Sequence, residues 1–153
     1  MRLTGTWHGT YVYGPLYGPL ASKAVPFTMS LTETWPRRIA GYVRDDATKG
    51  GMPERGRVLG RRRGTSIEFE KTMPNHYVMR PDGTLVSLSE AAAEQGVELP
   101  ARMPPHRIRY EGTLSADGQQ ITGTWRIPMP GGSGENGRGT WSARRTSELP
   151  LEV

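Results

Sequence analysis

The sequence predicts an all-β fold: an eight-stranded antiparallel up-and-down closed barrel, with a loop and short-helix insertion between strands 5 and 6. Three observations carry this reading. The 153 residues hold 20 glycines and 13 prolines but few long apolar stripes, which argues against a helical bundle. Apolar residues recur with period two almost throughout, the spacing that puts one face of a strand in a core. The connections between these segments alternate short and long, as an up-and-down sheet requires if each class of connection lies at its own end.

The segments follow in order. Residues 4–13 alternate Gly5, Trp7, Gly9, Tyr11 and Tyr13 against Thr6, His8, Thr10 and Val12. Residues 25–33 place Val25, Phe27, Met29 and Leu31 on one face. Residues 38–46 offer Ile39, Gly41, Val43 and Asp45, and residues 55–61 a weaker pattern around Val58. Residues 65–72 give Ile67, Phe69 and Lys71, and His106–Leu114 gives His106, Ile108, Tyr110 and Gly112. Residues 120–127 give Ile121, Gly123, Trp125 and Ile127, and residues 138–145 give Gly139, Trp141, Ala143 and Arg145. Each segment has one apolar face.

Short turns are expected at residues 34–37, 62–64 and 115–118, the last containing Asp117-Gly118, a good hairpin turn. Long loops are expected at residues 14–24, 47–54, 73–105 and 128–137. All long loops therefore fall at one end of the barrel. An eight-stranded meander exposes two edges unless it closes, and closure gives a barrel sized for one small ligand. Within 73–105, Pro81-Asp82-Gly83 reads as a turn, Ser87 or Ser89 as a helix cap, and Ala91–Ala93 as helix formers. This insertion reads as a lid or as a plug. The domain reading is one barrel over 1–147 with a tail at 148–153, and Gly-Gly-Ser-Gly at 131–134 reads as flexible linker.

Composition excludes several classes. Without cysteine there is no disulfide scaffold, thiolate metal site or cysteine nucleophile. The longest stretch free of charge, residues 3–22, is too rich in Gly, Thr and Pro to span a membrane. The start lacks the apolar core of a signal peptide, so the chain reads as cytoplasmic. The net charge of +5 rests on a strong bias to arginine. No recognition helix, zinc finger or RNP-type motif accompanies it, so no nucleic-acid partner is expected. Arg37, Arg38, Arg61, Arg62 and Arg63 fall in the short turns at the floor end and read as solvated charge, or alternatively as a site for an acidic protein partner or phosphate. No metal or cofactor signature is present, and the oligomeric state is open.

At Gly5-Thr6-Trp7 the chain resembles the calycin superfamily, whose lipocalin and avidin-like barrels open on Gly-x-Trp. It is most similar in pattern to bacterial lipocalin-like barrels. The repeated Gly-Thr-Trp at 5–7, 123–125 and 139–141 also looks avidin-like, although avidin's other ligand contacts have no counterpart. In lipocalins an arginine near the end of the last strand stacks on the first-strand tryptophan. The resemblance thus implies a structural signature of Gly5, Trp7 and Arg145 at a narrow floor.

If Trp7 marks the floor, the inward residues sort by height. Leu31, Ile39, Ile67, Leu114 and Ile121 join Trp7 and Arg145 at the floor. Tyr13, Phe27, Asp45, Lys71, His106, Trp125, Ile127 and Trp141 fall toward the mouth. Lys71 continues the apolar parity of Ile67 and Phe69, and a desolvated ammonium needs a partner. Asp45 is the candidate. The two form a rim ion pair, or Lys71 anchors a ligand, or it acts as Schiff-base or general-base lysine. His106 is solvated at a strand start or serves as a ligand or acid–base group. Tyr11, Tyr13 and Tyr110 fill the core or orient a polar ligand group. His8 faces outward and His76 lies in a loop, so no three-histidine site is expected. Glu33 reads as exposed or paired with Arg38.

The expected function is a small-molecule-binding barrel holding a mostly apolar or aromatic ligand at the long-loop end. The expected ligand residues are Tyr11, Tyr13, Phe27, Asp45, Lys71, His106, Tyr110, Trp125 and Trp141. The alternatives are a cyclase or isomerase using Lys71, Asp45 and His106 in the same cup, and a protein-interaction module with a filled barrel.

Overall fold

A computed structural model describes residues 2–128 and 135–153; the glycine-serine segment 131–134 lies outside them. The barrel strands are β1 (Gly5–Tyr13), β2 (Ala24–Thr34), β3 (Arg38–Asp45), β4 (Arg55–Arg63), β5 (Ser66–Met73), β8 (His106–Leu114), β9 (Gln120–Pro128) and β10 (Glu135–Ser147). They close in the order β1-β10-β9-β8-β5-β4-β3-β2, every pair antiparallel. Closure between β1 and β10 removes the open edges of the meander. Two strands were not expected: β6 (Tyr77–Met79) and β7 (Leu85–Ser87) form a separate hairpin inside the insertion. It turns at Pro81-Asp82-Gly83, where Asp82 accepts from the Thr84 amide and Gly83 takes the left-handed conformation (φ 86°). A short helix, α1 (Leu88–Glu94), follows, capped by the Ser87 hydroxyl accepting from the Glu90 amide.

The tight turns sit together at one end. In the β8–β9 turn, Asp117 accepts from Ser115 Oγ and the Gln119 amide, and Gly118 adopts φ 72°. The floor above these turns is filled. Leu3, Trp7, Leu31 and Ile121 are fully buried, with Ile39, Leu114 and Ile67 nearly so. Trp7 pairs with Arg145 across the β1–β10 seam. The Arg145 guanidinium lies 4.9 Å from the Trp7 ring centroid and donates to the carbonyls of Thr4, Arg2 and Gly118. A planar, weakly hydrated cation suits this position better than an ammonium. Trp7 Nε1 donates to the Leu3 carbonyl, so the segment before β1 stoppers the floor.

The Gly-Thr-Trp repeats are a packing device. Gly139 pairs with Trp125, and Trp141 pairs with Gly123. A Cβ at Gly139 would meet Trp125 Nε1 at 2.6 Å and the Val12 carbonyl oxygen at 1.9 Å. The Trp125 indole thus lies over Gly139 of the neighbouring strand, while the Trp141 ring reaches across to Gly112 of β8, where a Cβ would sit 2.9 Å from it, so that glycines let two large rings share a narrow barrel.

The floor corrects two expectations. Glu33 binds Arg62, not Arg38. Glu33 pairs with the inward Ile39, whereas Arg38 has the opposite, outward parity; Arg62 pairs with the inward Ile67 and so reaches Glu33. Arg62 is therefore not free solvated charge: it is largely buried and also donates to the Gly64 carbonyl. Glu33 in turn accepts from the Leu3 amide. The tail is not loose either, since Thr6 Oγ1 donates to the Leu149 carbonyl and accepts from the Leu151 amide.

Candidate functional site

Above the filled floor, at the long-loop end, the barrel contains a cavity of about 500 Å³. Its deep wall comes from inward residues of β1, β5, β8 and β9: Tyr11, Tyr13, Lys71, His106, Ile108, Tyr110, Trp125 and Ile127. Strand parity places all of these. The outer wall comes from loops: Tyr17, Pro19 and Leu20 from a 3-10 turn over Pro15–Leu20, Met52, and Tyr77, Met79, Pro81 and Leu85 from the β6–β7 hairpin. Sequence periodicity missed every loop contributor. The available signal was compositional: Leu, Tyr, Met and Val crowd segments that would otherwise be polar connections.

The loops are tied to one another. Lys23 Nζ donates to the Gly83 carbonyl (2.8 Å), joining the β1–β2 loop to the hairpin turn. Glu54 accepts from Asn75 Nδ2 and from the Tyr77 hydroxyl, joining the β3–β4 loop to the hairpin. The 73–105 insertion therefore supplies a wall of the cavity.

Of the expected ligand residues, Tyr11, Tyr13, Lys71, His106, Tyr110 and Trp125 border the cavity, and Phe27, Asp45 and Trp141 do not. Phe27 covers Gly9, where a Cβ would sit 2.5 Å from its ring, and stacks toward Tyr11. Trp141 lies one layer lower than expected, edge-on to Phe69 and Tyr110 at 5.5 Å, and donates to the Glu111 carbonyl. The cause is the length of β10, which begins at Glu135 and so carries Trp141 well below the mouth.

Asp45 sits behind Lys71. Lys71 Nζ contacts both carboxylate oxygens, at 2.8 and 3.0 Å, and the Tyr11 hydroxyl donates to Oδ2 at 3.2 Å. The side chains are 2% and 0% exposed. The pair was expected at the rim; it lies buried in the wall, because the loop after β3 folds back on Asp45, with Gly51 so close that a Cβ there would sit 2.5 Å from the Asp45 Cβ.

Aromatic rings line the rest. Tyr13 stands edge-on to Tyr11, Tyr17 and Trp125, at 5.9, 4.7 and 5.7 Å, and Tyr110 stacks on Phe69 at 4.8 Å. Burial, reinforced by the Asp45 carboxylate, holds the Tyr11 and Tyr110 hydroxyls far above the usual phenol range, and burial pushes Tyr13 up to about 12. These phenols stay protonated donors at any working pH. His106 moves the other way. Burial, with His76 and Lys71 nearby, lowers it to about 4, so its imidazole is neutral at pH 7. His76, in the loop between β5 and β6, lies 5.2 Å from His106 ring to ring and bonds the Pro104 carbonyl through Nε2. Among the described residues, no group of three or more His, Asp or Glu side chains is placed to hold a metal.

The fold and site define a closed eight-stranded antiparallel barrel with a half-filled interior, compatible with a calycin-like fold. No protein-family model matches the chain, and no curated protein matches it. Among the described residues, no helix is long and apolar enough to cross a membrane.

Proposed function

We propose that the protein is a lipocalin-like small-molecule binder that holds a mostly apolar or aromatic ligand in the cup at its long-loop end. The carrying observation is the aromatic-walled cavity of about 500 Å³ above a filled floor. That volume is within the range of small-ligand sites, and an apolar wall with a few convergent polar groups is their usual form. Trp125 borders the cavity and supplies a reporter. Titration with N-phenyl-1-naphthylamine should quench tryptophan emission saturably and raise the probe's own emission. Ile127→Trp should weaken that binding at least tenfold by filling the cup. A folded protein with no saturable response refutes the reading.

A second reading has one observation in its favour. A neutral imidazole and a buried ammonium share one cavity wall, an arrangement able to move a proton on a bound carbonyl compound. In that cyclase or isomerase reading, His106 is the base, and Lys71, held by Asp45, polarises the substrate. His106→Gln would then keep ligand affinity and abolish turnover.

A further inference from the structure

We propose that the cup selects neutral ligands carrying a hydrogen-bond acceptor, such as a ketone, quinone or ester carbonyl on a flat apolar body, and rejects carboxylates and alkylammonium ions of the same shape. This deepens the small-molecule reading above and rests on it.

The first argument is charge. Of the described residues bordering the cavity, Lys71 alone carries a basic or acidic side chain apart from the neutral His106, and Asp45 pairs with it from behind through two contacts. The phenols stay neutral, and so does His106. Among the described residues the wall therefore presents a balanced pair and no spare charge of either sign. A carboxylate entering this space would compete with Asp45 for one ammonium and leave a net buried negative charge. An alkylammonium ion would face Lys71 with no free anion to receive it. Both are costly where water is excluded.

The second argument is donor excess. An ammonium has three N–H donors, and the Asp45 oxygens receive two, which leaves one on a side chain that borders the cavity. Tyr110, on the strand adjoining that of Lys71, is 5% exposed, and its hydroxyl has no hydrogen-bond partner among the described residues. Tyr11 spends its proton on Asp45. The deep end of the cup thus offers an N–H and an O–H with nothing to receive them. A carbonyl oxygen, with two lone pairs, satisfies both without adding charge. The third argument is shape: Tyr11, Tyr13, Tyr17 and Trp125 stand edge-on or tilted to one another, leaving flat aromatic faces for a planar body.

The test uses four probes on one naphthalene frame: 2-acetylnaphthalene, 2-naphthoate, 2-naphthylmethylammonium and 2-ethylnaphthalene. Each is measured at pH 7 by displacement of N-phenyl-1-naphthylamine from the full chain. The ketone is expected to bind at least tenfold tighter than the acid or the amine, and tighter than the hydrocarbon. Tyr110→Phe keeps the ring stacked on Phe69; it should weaken the ketone about fivefold or more and leave the hydrocarbon unchanged. Naphthoate binding as tightly as the ketone overturns the inference while leaving the cup intact. An equal effect of Tyr110→Phe on ketone and hydrocarbon also overturns it. If the reporter and all four probes fail to bind, the small-molecule reading itself falls, and this inference with it.

Discussion

Replacing Lys71 by methionine should destabilise the protein far more than its loss of one ion pair suggests. Methionine fills most of the volume, so the change is chiefly electrostatic. The Asp45 carboxylate, 0% exposed, would keep only the Tyr11 hydroxyl at 3.2 Å. Breaking a buried pair by removing one partner costs about 3–5 kcal/mol. The loss stays in the lower half of that range, because a stranded carboxylate can take up a proton, which for an ordinary aspartate at pH 7 costs about 4 kcal/mol. Asp45→Asn should cost slightly less, about 2–4 kcal/mol, since the amide oxygen still accepts from the ammonium, which also borders the cavity. The double variant Lys71→Met/Asp45→Asn should cost only about 1–3 kcal/mol, because neither charge remains to be desolvated. The coupling between the two sites is then at least about 2 kcal/mol. Urea unfolding followed by tryptophan emission measures all three variants, and the coupling should survive in 0.5 M salt, because a buried pair is poorly screened. A Lys71→Met loss below about 1 kcal/mol, or a coupling near zero, would refute the claim that the pair is desolvated.

Three further outcomes follow from other parts of the barrel. Arg145→Ala removes three hydrogen bonds and the stack on Trp7 and should cost about 2–4 kcal/mol, whereas exposed Arg63→Ala should cost under about 0.5; denaturant midpoints compare them. Arg62 is no fair control, since it binds Glu33. Burial depresses the His106 pKa from its ordinary 6.5 to about 4, so between these values the unfolded state binds the extra proton. Stability from this residue is therefore complete above about pH 6.5 and is lost as pH falls through 4, by about 1–2 kcal/mol after allowing for its partial exposure. His106→Phe should flatten that segment of the stability–pH curve. Arg38 lies directly opposite Arg61, and Arg44 opposite Arg55, on the outer face of the β3–β4 pair. Arg38→Glu should stabilise by about 0.5–1 kcal/mol at low salt, with the gain shrinking in 0.5 M salt; an unchanged midpoint would show that the two guanidinium groups already splay apart.

What the chain determines by itself is parity. Successive residues of a strand point to opposite faces, so Trp7, Lys71, Tyr110 and Arg145 are marked as inward before any partner is known. Closure is equally legible, since alternating connections and one apolar face per strand leave few other ways to bury the core. The Trp7–Arg145 contact belongs to this class, because both residues are fixed by parity at ends that antiparallel pairing must bring together. Height within the barrel is different. It depends on strand tilt and stagger summed around all eight strands, and no local pattern encodes that sum. Trp141 therefore drops below the cavity, Phe27 turns onto Gly9, and Asp45 retreats behind Lys71, although all three share the inward parity of the residues that line the cup. The same limit hid Glu33's true partner, which only the facing of two separate hairpins decides. The outer wall was hidden for another reason. Tyr17, Met52 and the β6–β7 hairpin lie in segments with no period to read, and their packing is specified only by the surface they cover.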